Sequence, residues 1–296
     1  MSTLEGKVAV VTGAASGIGF ALSGAWAAEG MKVVMADVEA SALAEAAEKV
    51  RSGGTEVLDV VTDVRDGAQV EALAQQAVER FGGVHVACNN AGVAGGGLQL
   101  WDVPLAAWEW TLGVNLWGVL HGVRAFVPRM IAQGEGHIVN TASIAGMLAG
   151  GTTGPYTVSK FGVVALSEAL FFELQLAGAP VGVSVLCPGW VNTRIGESDR
   201  NAPPELQVED DEDPDPIRLK LRKGLSDMLS GGMPPPEVAA KVVAGVRERR
   251  FYIFPHDTDD WLEPIRRRTD NMLAGRPPEM NIFPGSEAIL AALMEE

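Results

Sequence analysis

Two kinds of hydrophobic pattern alternate along the chain as far as residue 254. Short runs of consecutive apolar, β-branched residues, punctuated by glycine, predict strands buried on both faces. Longer segments with apolar positions three and four residues apart predict helices between them. The predicted strands are residues 8–12, 32–37, 56–61, 84–89, 137–141, 181–187 and 251–254.

The predicted helices lie at about residues 17–29, 40–51, 67–81, 105–132, 155–177 and 236–249. Pro155 and Pro236 suit first-turn positions, where a missing amide hydrogen costs nothing, whereas Pro128 is expected to kink the fourth helix. Strict alternation of strand and helix predicts an α/β fold, a doubly wound parallel sheet of the Rossmann-like type with about seven strands.

Two late segments depart from this alternation. Residues 195–235 are irregular in pattern, and we expect them to form a lid over a substrate. From residue 257 onward, apolar residues recur at helical spacing and are followed by an apolar tail at 289–294. This C-terminal extension, residues 257–296, is expected to pack on the domain formed by residues 1–256 or on a neighbouring subunit. The residues at helical spacing are Trp261, Leu262, Ile265, Met272 and Leu273.

An acidic run lies within the predicted lid and contains no basic residue. Like charges this dense cannot pack together, so a solvated mobile loop is one interpretation. An electrostatic filter at the entrance of a site is the other. The run consists of Glu205, Glu209, Asp210, Asp211, Glu212, Asp213 and Asp215.

Composition narrows the class of protein. At 296 residues and 47% hydrophobic, the chain can bury a large single core. Its net charge of −15 disfavours nucleic acid and anionic membrane surfaces as partners. The two cysteines lie far apart in the sequence, which fits a reducing compartment. Neither a signal peptide nor an apolar stretch long enough to cross a membrane is apparent, so we expect a cytoplasmic protein. No metal site is expected, because the histidines are dispersed without ligand spacing: His85, His121, His137 and His256.

A glycine-rich turn follows the first predicted strand and opens the first predicted helix. Glycines there allow the backbone to approach a diphosphate closely, and a helix N-terminus offers free amide hydrogens. The spacing is GxxxGxG rather than GxGxxG, and a glycine cluster alone is more often an ordinary turn. The residues that would hold a dinucleotide here are Gly13, Ser16, Gly17, Ile18 and Gly19.

Asp37 ends the second predicted strand, 18 residues after Gly19. A carboxylate at this place accepts hydrogen bonds from the adenosine ribose, which predicts NAD. The 2′-phosphate of NADP would meet this carboxylate and Glu39, with no cation among the adjoining residues, Val38 included. The alternative is a strand-end aspartate that only caps the next helix.

A second constellation carries reactive groups. Tyr156 and Lys160 are four residues apart in a predicted helix, so both side chains lie on one face. A neighbouring ammonium stabilises phenolate and would lower the pKa of the Tyr156 hydroxyl, which could then exchange a proton with a substrate oxygen. Ser143 follows the fifth strand and could orient a carbonyl, or could simply cap a turn. Asn115 lies within the fourth helix, where its amide should serve a hydrogen bond.

With these motifs in order, the chain resembles the short-chain dehydrogenase/reductase family over about residues 5–255. The motifs are TGAASGIG at 12–19, Asp63 and Val64, NNAG at 89–92, Asn115, Ser143, YTVSK at 156–160 and PGWVNT at 188–193.

The resemblance implies roles for these residues. Tyr156 would be the acid or base, Lys160 would lower its pKa and bind the nicotinamide ribose, and Ser143 would polarise the substrate oxygen. Asn115 would support a proton-relay water. Further residues implied in NAD binding are Val38, Asp63, Val64, Asn89, Asn90, Ala91, Gly92, Pro188, Gly189, Val191 and Thr193.

The chain also departs from that family. It lacks the glycine-rich C-terminal ending that many members use in tetramer packing, and it continues beyond Phe254. A homodimer or homotetramer is still what the resemblance implies.

The residues expected around a substrate are mostly apolar, and Arg194 is the only obvious cation near them. This pattern predicts a hydrophobic secondary alcohol or ketone, unless these side chains only pack the lid. The residues are Leu98, Ile144, Met147, Leu148, Trp190, Ile195, Met228 and Met233.

Three other functions share parts of the pattern. A reductase of acyl groups on an acidic carrier protein would ordinarily use NADP and present basic residues to that carrier. Asp37 and the net charge of −15 argue against this function. A sugar-nucleotide epimerase or dehydratase would usually read TGxxGxxG in the glycine turn. A non-catalytic NAD-binding sensor would have little need to keep all four reactive residues.

Overall fold

The computed structural model describes residues 3–95, 99–206, 216–279 and 284, without the side chains of 216–219, 221 and 222. Its centre is a seven-stranded sheet in the order β3-β2-β1-β4-β5-β6-β7, with every neighbouring pair parallel. The predicted doubly wound, Rossmann-like sheet is therefore confirmed. The strands are β1 Val8–Thr12, β2 Lys32–Asp37, β3 Val57–Val61, β4 Val86–Asn89, β5 Gly136–Thr141, β6 Val181–Leu186 and β7 Tyr252–Ile253.

Helices cover both faces of the sheet. In β1, Ala9 and Val11 face one helix layer while Val8 and Val10 face the other, as the two-residue period of a strand requires. The first layer contains α1, α2 and α8, and the second contains α3, α5 and α6. The helices are α1 Gly17–Ala28, α2 Ala40–Arg51, α3 Gly67–Phe81, α4 Leu105–Leu112, α5 Gly118–Gln133, α6 Gly154–Leu176, α7 Pro216–Ser230, α8 Pro235–Arg247 and α9 Asp259–Leu273.

The chain winds in opposite directions from the middle of the sheet, so that β1 lies between β2 and β4. Crossovers that leave neighbouring strands towards opposite faces open a crevice at the strands' carboxyl ends, where ligands bind in such sheets. The glycine turn, at the end of β1, lies at this crevice. β3 is one of the two edge strands, and its exposed Val61 corrects the expectation that this strand is buried on both faces.

The predicted helix at 105–132 is confirmed in extent, because helical structure continues without a break from Leu105 to Gln133. It is divided into α4 and α5 by a π-helical turn at Gly113–Trp117, which contains Asn115. The reason is tertiary: the Asn115 side chain bonds the backbone of Val93, a residue distant in sequence. Pro128 lies inside α5, which continues beyond it to Gln133.

The irregular structure expected for residues 195–235 is also corrected. A 3-10 helix at Ile195–Asn201, another at Pro204–Leu206, and α7 occupy much of the segment. Residues 216–230 contain several leucines, lysines and arginines, which have good helix propensity. Of the acidic run, Glu205 lies in the second 3-10 helix, and residues 209–215 lie outside the described residues.

The helical spacing predicted after residue 257 is confirmed by α9, whereas the apolar tail at 289–294 lies outside the described residues. The domain boundary after residue 256 stays a prediction.

A buried histidine in β5 makes the stability of the fold sensitive to acid. His137 is 1% exposed, its Nε2 lies 2.8 Å from Ser184 Oγ, and burial lowers its pKa to about 3. The unfolded chain therefore binds a proton below about pH 6.5 that the folded chain does not bind. Stability falls as the pH falls through this window, and His137 alone should remove about 2 kcal/mol between pH 7 and pH 5.

Urea unfolding at both pH values measures this loss. His137→Gln can keep a polar contact to Ser184 without titrating at these pH values, so its stability should depend less on pH by about 2 kcal/mol. Equal pH dependence in the two proteins would show that His137 is not the source.

Candidate active site

The glycine turn between β1 and α1 packs closely against neighbouring parts of the chain. Gly13 and Gly17 have φ of +66° and +53°, in the left-handed region that favours glycine. A Cβ on Gly13 would lie 2.8 Å from Ala91 Cα, and a Cβ on Gly19 would strike the Gly13 carbonyl oxygen. Glycine at positions 13 and 19 therefore lets the turn pack closely on residues 90–91 and on itself.

The N-terminus of α1 is suited to an anion. Ser16, the N-cap residue, makes no side-chain capping bond, and the first turn of α1 contains no acidic residue. Amide hydrogens and the positive end of the helix dipole are thus left for a ligand. These features fit the diphosphate of a dinucleotide, and Gly17, Ile18 and Gly19 form the start of that turn.

The NNAG segment is tied directly to the glycine turn. Thr12 Oγ1 accepts from the amides of Asn90 (2.9 Å) and Ala91 (3.1 Å), and Asn90 Nδ2 donates to the Thr12 carbonyl. Asn89 is buried in β4 and donates to Asn140 Oδ1. The structure thus brings residues 89–92 to the crevice beside the glycine turn.

Asp37 lies at the other side of the glycine turn. Its Oδ2 accepts from the Ala15 amide at 2.9 Å, and its Oδ1 accepts from the Glu39 amide at 3.1 Å. The second bond is the helix-start contact of the alternative interpretation. The first orients the carboxylate towards the glycine turn, at the place where the ribose of a dinucleotide is expected.

Sequence reasoning missed a cation close to this place. Arg200, from the 3-10 helix Ile195–Asn201, donates to Glu39 Oε1 at 2.6 Å, and Asn201 Nδ2 donates to the same oxygen at 3.0 Å. The bond from Arg200 is the main cause that lowers the pKa of the Glu39 carboxyl. Nothing in the sequence signals this pair, because 161 positions separate its members.

Asp63 and Val64 follow β3 at the same edge of the crevice. Asp63 makes a forked ion pair with Arg65, including a 2.7 Å bond from Nη2. Val64 is buried, and its carbonyl lies 2.9 Å from His121 Nδ1. These contacts hold the turn formed by Asp63 and Val64, which are implied in NAD binding. The sequence does not predict the ion pair between Asp63 and Arg65.

Ser143, Tyr156 and Lys160 converge beyond the end of β5. The side chains of Ser143 and Tyr156 share a hydrogen bond. Lys160 Nζ lies 5.5 Å from the centre of the Tyr156 ring and donates to the Thr141 carbonyl at 3.0 Å. Ser143 Oγ also accepts from the Ala145 amide at 3.1 Å, so Ser143 caps the following turn as well.

The pKa of Tyr156 differs from the expectation. Burial raises the pKa of its hydroxyl, and the bond with Ser143 opposes this rise. The lowering expected from Lys160 is therefore corrected for this structure: the ammonium donates to a backbone carbonyl, and burial lowers the pKa of Lys160 itself to about 8. Its charge is thus easily changed near neutral pH.

Asn115 holds two parts of the site together. Its amide accepts from the Val93 amide at 2.8 Å and donates to the Val93 carbonyl at 3.0 Å and to Ser159 Oγ at 3.1 Å. Ser159 in turn donates to the Tyr156 carbonyl. The side chain therefore joins the NNAG strand end to the helix that carries Tyr156, and its predicted support of a relay water stays a prediction.

The segment 188–193 passes over both halves of the crevice. The Pro188 carbonyl accepts from Ser143 Oγ at 3.3 Å. A Cβ on Gly17 would lie 3.0 Å from Thr193 Cγ2, so Thr193 lies against the glycine turn. Val191 pairs with Met233 as an isolated bridge. A cavity of about 870 Å³ opens beside this contact, between α1, residues 192–197, α7 and α8.

Four of the eight residues predicted to line the substrate meet in one apolar cluster next to Ser143. Ile144, Met147, Leu148 and Trp190 pack together there with Trp261. Met233 instead packs on the core beside α1, and Leu98 lies outside the described residues. Arg194 is paired with Glu197 at 2.9 Å.

Other conspicuous residues have structural roles. Cys88 and Cys187 are buried, and burial raises the pKa of each thiol to about 12. Within the described ranges, three or more His, Cys, Asp or Glu side chains are nowhere grouped as for a metal ion. Among those same residues, no helix has the length and apolar character needed to cross a membrane.

Comparison with known proteins identifies the family to which the chain is similar. Residues 7–204 match the profile of the short chain dehydrogenases. The 1-deoxy-11-beta-hydroxypentalenate dehydrogenase of Streptomyces avermitilis is 43% identical over 72% of this chain and 80% of its own length. The CLA biosynthesis dehydrogenase/reductase of Lactiplantibacillus plantarum is 32% identical over 96% of this chain and 99% of its own length.

A solved structure is similar over nearly the whole chain. A short-chain dehydrogenase/reductase from Burkholderia phymatum, in complex with NAD, has a TM-score of 0.90 and 43% identity, covering 95% of this chain and 99% of that one. The NAD in that complex agrees with the cofactor predicted for this chain. The chain belongs to the short-chain dehydrogenase/reductase family of oxidoreductases.

Proposed function

We propose that the protein transfers a hydride between NAD(H) and a hydrophobic secondary alcohol or ketone, with Tyr156 as the acid or base. The observation that carries this proposal is the convergence of Ser143, Tyr156 and Lys160 beside a glycine turn suited to a dinucleotide. Bound NAD would supply the hydride acceptor when an alcohol is oxidised.

The protein's own residues perform the proton step. Tyr156 takes the proton from an alcohol, or gives it to a ketone, at its hydroxyl. The hydrogen bond with Ser143 favours the phenolate and opposes the burial that raises the pKa of Tyr156. The Thr141 carbonyl holds Lys160 in place.

NAD rather than NADP is supported by the charges at the end of β2. Asp37 is held towards the glycine turn by the Ala15 amide, where it would repel a 2′-phosphate. The adjacent Arg200 is already paired with Glu39, so it is not free to neutralise that phosphate. The NAD complex of the Burkholderia phymatum protein supports the same choice.

A hydrophobic substrate is supported by the cluster of Ile144, Met147, Leu148 and Trp190, which begins one residue after Ser143. Among the described residues, Arg194 is a weak candidate for an anion clamp because Glu197 neutralises it. By its name, the relative from Streptomyces avermitilis dehydrogenates a hydroxy compound, which agrees with an alcohol as the substrate. Homo-oligomerisation and cytoplasmic location stay predictions.

NADH absorbance with a panel of secondary alcohols, from small polyols to bulky alicyclic alcohols, tests the proposal. With NAD, we expect turnover of the bulky apolar alcohols, and with NADP much less. Preference for polyols would contradict the substrate class. Absence of turnover together with tight NADH binding would favour the non-catalytic sensor.

A further inference from the structure

His256, the last residue before the C-terminal extension, and Pro284 within that extension both contact the turn at residues 188–190. The amide of Gly189 donates to His256 Nδ1 at 3.1 Å, and the indole of Trp190 donates to the Pro284 carbonyl at 3.1 Å. His256 follows β7, and Pro284 lies beyond α9. This turn is the part of segment 188–193 nearest to Ser143.

Trp261 of α9 packs against both His256 and the turn at residues 188–190. Its ring lies 4.6 Å from the His256 ring, centre to centre. A Cβ on Gly189 would strike the Trp261 ring, so only glycine fits at this position without displacing the ring. Trp261 also packs on Ile144 and Leu148, and it is buried.

The same turn contacts the reactive groups. The Pro188 carbonyl, adjacent to Gly189, accepts from Ser143 Oγ at 3.3 Å and from the Ile144 amide at 2.9 Å. Ser143 in turn bonds Tyr156. A shift of the 188–190 turn would therefore move the acceptor that orients the Ser143 hydroxyl, and would move Val191 and Thr193 on its other side.

We propose that His256 is a positioning residue, whose neutral Nδ1 holds the Gly189 amide and thereby holds in place Ser143 and the segment 191–193, which contains two residues implied in NAD binding. This inference rests on the proposed function. In this proposal His256 acts through the turn, whose Gly189 amide it contacts. Protonation of Nδ1 turns an acceptor into a donor, which cannot accept from the Gly189 amide.

The direction of the pH effect follows from the surroundings of His256. Desolvation lowers its pKa below the usual 6.5, and a hydrogen bond with the Trp190 backbone opposes this. The charged groups that face it are Lys241 of α8 and Asp257, which pair with each other at 3.0 Å and act in opposite directions. The bond to Gly189 is thus complete at neutral pH and is lost as the pH falls through the lowered pKa.

Two substitutions separate the hydrogen bond from the titration. His256→Asn places an amide oxygen near the position of Nδ1, so it can accept from Gly189 but does not titrate. His256→Phe keeps a ring against Trp261 and removes the acceptor. NADH affinity, measured by nucleotide fluorescence between about pH 5 and pH 8, is the first readout because it needs no substrate. Turnover with the best alcohol is the second.

In the unaltered protein we expect NADH affinity and kcat/KM to fall on the acid side, with a midpoint below 6.5. In His256→Asn that acid decline should disappear, with values at neutral pH close to those of the unaltered protein. In His256→Phe both quantities should be about tenfold lower at every pH, because the Gly189 amide loses its partner. A melting temperature measured alongside identifies a variant that has lost its fold.

Three results would overturn the inference. An acid decline that persists in His256→Asn would assign it to another group, and His256→Phe with unchanged affinity and turnover would show that the bond positions nothing. If His256→Phe is unfolded, the pH profile of His256→Asn decides alone. Lack of NADH binding in the unaltered protein would instead overturn the proposed function, and this inference with it.

Discussion

Replacing Tyr156 by phenylalanine is expected to lower turnover by at least about 100-fold while NADH binding survives. The ring and its packing remain, but the group that exchanges a proton with the substrate oxygen is removed, and such groups contribute roughly 10²- to 10⁴-fold. Initial rates with the best alcohol of the panel, together with NADH titration, measure both effects.

The chain offers a matched control, because it contains only two tyrosines. Tyr252 is 39% exposed in β7 and donates its hydroxyl proton to Glu168 at 2.5 Å, outside the Ser143–Tyr156–Lys160 group. Tyr252→Phe should keep normal turnover. Near-normal turnover in Tyr156→Phe would rule out the acid–base role, and equal losses in the two variants would point to a general effect on the fold.

The double substitution Asp37→Ser with Val38→Arg is expected to shift cofactor preference towards NADP by about 100-fold or more. It removes the carboxylate that repels a 2′-phosphate and adds a cation that can bond it, and bonds to charged groups are worth about 1.5–3 kcal/mol each. Val38 is 47% exposed, so an arginine fits there without disturbing the core. The ratio of kcat/KM for the two cofactors is the measurement.

Val38→Arg alone serves as the control, since Asp37 would still repel the phosphate and NADP use should stay low. Asp37→Ser also removes acceptors from the amides of Ala15 and Glu39, so some NAD activity is lost for structural reasons. Adding Glu39→Gln should free Arg200 and raise NADP use further. An unchanged cofactor ratio in the double variant would show that preference lies elsewhere.

The sheet could be predicted because each strand carries its own signal. Consecutive β-branched residues are needed wherever a strand is buried between two helix layers, and the glycine turn and Asp37 follow directly from such strands. The helices at 40–51 and 67–81 have the bounds predicted for them. The two edge strands, β3 and β7, are less buried than the inner strands.

Local pattern failed where a distant residue decides the backbone. Asn115 bonds Val93 and Ser159, and the helix around it widens into a π turn that no apolar periodicity indicates. Arg200 reaches Glu39 across the crevice, so the cation missing from the neighbourhood of Asp37 in sequence is present in space. The Tyr156 pKa differs in direction because burial, which spacing cannot reveal, outweighs the neighbouring groups.

The amino-acid sequence by itself determined the fold class, the family, the glycine turn and the four residues that we propose as reactive, since these depend on periodicity and on short motifs. Only the tertiary structure decided how these groups are held: the Ser143–Tyr156 bond, the Lys160 anchor on Thr141, and the contact of His256 with Gly189. Such contacts join residues from separate strands, turns and helices. Their existence depends on packing across the sheet, and no local pattern encodes that.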